Sequence, residues 1–150
     1  KTYSIPGIRV GWVASNAEVA SILRDYRDYT MICAGVFDDM VATLVLQNKE
    51  AILERNRKIV TENIALMDAW IADEPKASWI RPASVSTSFV KLEVSRPIED
   101  FALELLQKYG VLVVPGNRFD KESHVRIGYC CDKEVLQKGL EKLSQFLHKC

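Results

Sequence analysis

The spacing of apolar residues changes period several times along the chain. From Ile8 to Ala14 the run is short and mostly apolar and follows a Pro6-Gly7 turn, a pattern that predicts a strand. From Ser15 the spacing becomes helical. Val19, Ile22, Leu23 and Tyr26 form one stripe, which predicts a buried face on a helix over about residues 16–29, and Ser15-x-x-Glu18 has the form of a capping box at its start. Gly35 interrupts, and Asp38 or Asp39 is expected to cap a shorter helix through Leu46. Lys49 to about Ala72 then reads as one long helix, with Ile52, Ile59, Asn63, Leu66, Met67 and Trp70 near one face and Pro75 beyond its end. At ~1.5 Å per residue such a helix is a rod of roughly 36 Å, long enough to join two domains.

Beyond Pro75 the character changes. Thr87 to Val94 alternates as a strand, and Pro97 starts a helix carrying Phe101, Leu105 and Leu106, with Gly110 as the residue that closes it. Val111–Val114 predicts another strand, Pro115-Gly116 a turn, and His124–Cys130 a further strand. Asp132 is expected to cap a last helix with the stripe Val135, Leu136, Leu140, Leu143 and Leu147. The chain is thus expected to be α/β. Residues 1–45 would end one domain, 46–74 would form an interdomain helix, and 75–150 would form a small α+β domain. A strand at Ile8–Val13 needs neighbours on both edges, so the opening is expected to be the interior of a longer protein, cut at or near a functional lysine.

Composition narrows the classes. Of 150 residues, 48% are hydrophobic and 27% charged, enough for a globular core and unlike a disordered segment. Twenty basic residues balance twenty acidic ones, which leaves no electrostatic footprint for nucleic acid or an anionic membrane. Apolar runs fall well short of the ~20 residues that a membrane-spanning helix needs. The cysteines at 33, 130, 131 and 150 have no metal-ligand spacing, and His124 and His148 do not complete a site. Adjacent Cys130 and Cys131 on one strand would point to opposite faces. Reduced structural thiols in a cytoplasmic protein are the expectation, with no metal.

The candidate chemistry lies in three stretches. Lys1 is followed by Tyr3-Ser4-Ile5-Pro6-Gly7-Ile8-Arg9-Val10-Gly11-Trp12. Standing alone, a terminal lysine is usually solvated and a strand arginine is usually a surface cation. The register of lysine, turn, arginine and glycine is far more specific, and it resembles the active-site segment of the class I/II aminotransferases, the fold-type I pyridoxal-phosphate enzymes. Gly110-Val111-Leu112-Val113-Val114-Pro115-Gly116-Asn117-Arg118-Phe119 is similar to a second family stretch, and His124-Val125-Arg126-Ile127-Gly128-Tyr129 to a third.

The resemblance implies that Lys1 condenses with the cofactor aldehyde, that Arg9 holds the cofactor phosphate and that Arg126 holds the substrate α-carboxylate. The chemistry suits those residue types. A lysine amine is a nucleophile once it sheds its proton, and a guanidinium forms paired bonds to phosphate or carboxylate. Gly7 and Gly11 are expected to allow close backbone approach. The implied fold is the small domain of a fold-type I enzyme, an antiparallel sheet packed by helices, plus a remnant strand and helices of the large domain. The implied enzyme is a cytoplasmic homodimer that takes an amino acid and a 2-oxo acid, while this stretch alone is expected to be inactive.

Two departures touch substrate choice: Asp120 stands where glycine is common, and Val85-Ser86-Thr87-Ser88 replaces a glycine-rich strand entry. A fold-type I lyase or decarboxylase would use the same three residues, and an aminotransferase-like sensor domain of a transcription regulator is a further reading. Arg118, Lys91 and the run Glu54, Arg55, Arg57 and Lys58 read as solvated faces. Tyr3 reads either as a neighbour of the cofactor or as an aromatic anchor.

Overall fold

The computed structural model describes residues 2–150 and divides into two units, Lys1–Asn56 and Arg57–Cys150. The division falls inside a long helix. Helices α1 (Ala17–Thr30) and α2 (Val36–Gln47) belong to the first unit, and α3 (Lys49–Asp73) runs across the boundary. No helix among the described residues is long and apolar enough to cross a membrane.

The first unit departs from its sequence pattern in three places. Residues 9–16 form no strand. A strand is stabilised by its hydrogen-bonded ladder, and no described strand of this unit offers an edge. Helix α1 is capped by Asn16 rather than Ser15: the Val19 amide donates to Asn16 Oδ1 at 2.9 Å, while Ser15 Oγ donates to the Asn16 carbonyl. The amide side chain reaches the first-turn donors and so displaces the capping box. Finally, the α1 stripe is not buried. Val19, Ile22, Leu23 and Tyr26 are 41%, 49%, 45% and 66% exposed, and neither α1 nor α2 contains a buried residue. Gly35, not an aspartate, is the N-cap of α2; Asp38 and Asp39 lie in its first turn, where their charge suits the helix dipole.

The second unit has a core. Its sheet is antiparallel throughout, ordered β1-β2-β4-β3, from β1 (Ala77–Trp79), β2 (Thr87–Leu92), β3 (Val114–Pro115) and β4 (His124–Gly128). Helices α4 (Ile98–Tyr109) and α5 (Lys133–Leu147) follow β2 and β4. Strand β1 was not legible as a strand in the sequence, and β3 is shorter and later than the expected Val111–Val114.

Alternation along the strands decides which face is covered. Val90, Leu92, Val125 and Ile127 are buried and join Ile64 and Met67 of α3, Phe101 and Leu105 of α4 and Leu140 and Leu143 of α5 in one cluster. The α5 stripe keeps Leu136, Leu140, Leu143 and Leu147 as expected, with Phe146 buried in it and Val135 59% exposed. Gly110 ends α4 at φ 67°, a left-handed conformation that glycine adopts without a Cβ penalty.

Two buried polar groups tie the unit together. Asn63 Nδ2 donates to the Tyr129 and Cys131 carbonyls at 2.6 and 2.9 Å, joining α3 to the segment after β4. Glu74, also buried, accepts from Ser144 Oγ at 2.6 Å and from the Lys76 amide at 3.3 Å, and its Oε2 lies 3.1 Å from His148 Nε2. Burial alone would raise the Glu74 carboxyl, but the Ser144 hydroxyl, the Lys76 amide and His148 together hold it below its ordinary value.

Candidate functional site

The covered side of the sheet has an opposite, open side, and the candidate site lies there. Because successive side chains alternate, Arg126 points away from the face that buries Val125 and Ile127. It stands on β4, between β2 and β3, directly across from Phe89 on one side and Val114 on the other. Lys91 and His124 form the next pair on that face.

The guanidinium of Arg126 is not left to swing freely. Its Cζ lies over the Phe119 ring, 5.1 Å from the centroid, within the range at which a cation is attracted to an aromatic face. Phe119 in turn meets Phe89 edge to face, with centroids 5.2 Å apart and planes at 82°. Among the described residues no carboxylate pairs with Arg126. A guanidinium covered on one face keeps its in-plane N–H donors available, which is the geometry that takes a planar carboxylate edge-on.

Local sequence explains how Phe119 comes to that position. It ends the short 3-10 helix Gly116–Phe119, which follows β3 directly. A Cβ on Gly116 would fall 2.2 Å from the Lys121 carbonyl oxygen and 2.6 Å from that of His124, so only glycine fits this close turn. Asp120, the departure from the common glycine, adopts φ 54°, the left-handed conformation glycine would take and one that aspartate tolerates better than most residues. Asn117 Nδ2 donates to Glu99 Oε2 at 2.8 Å, and Arg118 Nη2 pairs with Glu99 Oε1, tying this helix to α4. Arg118 is exposed, as expected of a solvated cation, and pairs with Glu99 at the surface.

The other candidate segment belongs to the first unit. Arg9 is exposed; its Nη1 donates to the Pro6 carbonyl at 3.1 Å across the turn, and its amide donates to Asp38 Oδ1 at 3.3 Å. A Cβ on Gly7 or Gly11 would meet nothing within 4 Å, so no neighbour in this chain requires either glycine. Lys1 lies outside the described residues, and Arg9 and Arg126 belong to different units.

Sequence reasoning assigned no role to Phe119 or Phe89. No local signal marked them: Phe89 faces Arg126 only through the strand register, and Phe119 reaches it only through the fold of the 3-10 helix. Cys130 and Cys131 lie just beyond β4 rather than on it; Cys130 is exposed, and partial burial pushes the Cys131 thiol up.

Comparison with known proteins agrees with the motifs. The family model for aminotransferase class I and II matches residues 1–143. A crystal structure of a PLP-dependent aminotransferase from Streptococcus suis 89-1591 superposes with a TM-score of 0.96 at 65% identity, over 99% of this chain and 40% of that one. Capreomycidine synthase from Streptomyces vinaceus is 29% identical over 98% of this chain and 38% of its own length. A probable N-acetyl-LL-diaminopimelate aminotransferase from Bacillus subtilis (strain 168) is 25% identical over 99% and 38%. The chain thus spans about two fifths of the length of these relatives. It belongs to the class I and II aminotransferase family.

Proposed function

We propose that this chain acts as the C-terminal part of a pyridoxal-phosphate-dependent aminotransferase that moves an amino group between an amino acid and a 2-oxo acid. The observation that carries the reading is Arg126, a guanidinium on the open face of the sheet, held against Phe119 and paired with no described carboxylate. Arg126 would grip the amino acid carboxylate and so fix the orientation of its Cα–H bond. Arg9 would bind the cofactor phosphate; its Nη1 is engaged only by a neutral carbonyl, which leaves the cation uncompensated and suits a dianion. Lys1 would hold the cofactor covalently and move the proton at the substrate Cα. The cofactor, when bound, supplies the electron sink for the bond broken there.

The same reading makes residues 1–45 the end of the cofactor domain, 46–74 the connecting helix and 75–150 the small domain, with a homodimer as the working assembly. The likeness at 65% identity is to an aminotransferase, which favours transamination over the lyase, decarboxylase and regulator readings.

The test separates the three residues in the full-length protein. Lys1→Ala should abolish the covalent cofactor absorbance with the fold intact. Arg9→Ala should raise the dissociation constant for pyridoxal phosphate. Arg126→Ala should leave cofactor retention nearly unchanged and lower kcat/KM for amino acids. A charge-assisted contact is worth about 1.5–3 kcal/mol, so each arginine change should amount to roughly tenfold to a hundredfold. Equal loss of cofactor in both arginine variants would overturn the division of roles.

A further inference from the structure

We infer that Phe119 is the positioning residue for Arg126: its ring fixes the plane of the guanidinium and thereby sets how well the site takes an amino acid carboxylate. The inference rests on the carboxylate role proposed for Arg126.

The geometry points this way because Phe119 is a poor candidate for a purely structural aromatic. It is 42% exposed, whereas Phe101, Tyr129 and Phe146, aromatics of the core, are nearly or fully buried. Yet the segment that carries it is closely determined. Gly116 admits no side chain against the Lys121 and His124 carbonyls, Asp120 takes a left-handed backbone directly after the ring, and Ser123 takes another at φ 62° just before β4. Lys121 N closes the turn onto the Gly116 carbonyl at 3.0 Å. Asn117 and Arg118, the two residues before the ring, both reach Glu99 on α4. All these constraints converge on one half-exposed side chain, which meets Arg126 on its face and Phe89 in a T-shaped contact.

An arginine on a strand has several rotatable bonds, and a carboxylate that must be met by two parallel N–H bonds requires one orientation of the guanidinium plane. Stacking on a fixed ring selects that plane before the substrate arrives, so less rotamer freedom is lost when it binds. The effect belongs to carboxylate binding. It should therefore appear in KM for the amino acid more than in kcat, and it should leave the cofactor untouched.

The experiment is a double-mutant cycle in the full-length holoenzyme: wild type, Phe119→Leu, Arg126→Ala and the pair, with Phe119→Tyr as the conservative variant. Phe119→Leu keeps apolar bulk but removes the aromatic face. A cation–π contact spans about 0.5–2 kcal/mol, so KM for the amino acid should rise roughly twofold to thirtyfold. The change in kcat should stay within about twofold, with pyridoxal-phosphate retention and melting temperature unchanged. Phe119→Tyr should restore KM. In the Arg126→Ala background, Phe119→Leu should have little further effect. An unchanged KM in Phe119→Leu, failure of tyrosine to rescue, or a full effect persisting without Arg126 would overturn the positioning role while leaving the carboxylate reading of Arg126 intact. If Arg126→Ala itself leaves KM unchanged, the carboxylate reading falls, and the positioning role falls with it.

Discussion

Helices α1 and α5 carry equally plain apolar stripes, and the two end in opposite conditions. In α5, Leu136, Leu140, Leu143, Phe146 and Leu147 are all buried; in α1, not one residue is. The difference does not lie in the pattern. Helical spacing of apolar residues says that a face exists, but burial needs a second surface, and in the second unit the sheet supplies one. Pattern and partner are separate facts, and only the first is written locally.

The sharpest way to break this comparison is a matched pair of truncations in this chain. Phe101→Ala removes a fully buried ring and should cost about 3–5 kcal/mol, while Ile22→Ala, on the exposed stripe of α1, should stay within about 0.5 kcal/mol. Denaturant unfolding gives both values, and comparable losses would mean that the α1 stripe is covered in solution. Next in size is Asn63→Ala, which leaves the Tyr129 and Cys131 carbonyls without their buried donor. About 1–3 kcal/mol should be lost in the same measurement. An unchanged midpoint would show that water replaces the amide there.

The smallest effect is a pH dependence confined to the second unit. Glu74 is held below its ordinary value of 4.5 in the folded chain. Its contribution is complete above that value and is lost as pH falls through the lower folded-state value, so the unit should weaken in acid. Melting temperatures followed from about pH 5 down to about pH 3 should fall less steeply for Glu74→Gln than for the unaltered chain. Parallel slopes would assign the acid sensitivity to other carboxylates.

Much of the second unit was legible because its signals are local. Pro97 and Gly110 bracket α4, Asp132 precedes α5, and the stripes between them are helical in period. What stayed illegible depended on distant residues. The three residues of β1 form a strand because Ala77 and Trp79 pair with Leu92 and Val90, which nothing between Pro75 and Pro82 announces. The reverse held at Ile8–Val13, where local apolar character predicted a strand that lacks a ladder. In the candidate site the charged residues were legible as types in register. Phe119 was not, because its contact with Arg126 arises only when the 3-10 helix folds back over β4.

The position of Arg126 within the sheet has a consequence for motion. Strand β4 is flanked on both sides, so its amides are freed only when β2 or β3 detaches. Local opening of exposed loops and frayed ends is frequent, whereas a strand in the middle of a packed sheet opens close to the global limit. Arg126, mounted there, keeps its backbone still over long times. The backbone under Arg126 is held by the sheet, and the ring over its guanidinium by the close turn at Gly116. Under the role proposed for Arg126, both the gripping point and its plane are set before any carboxylate arrives.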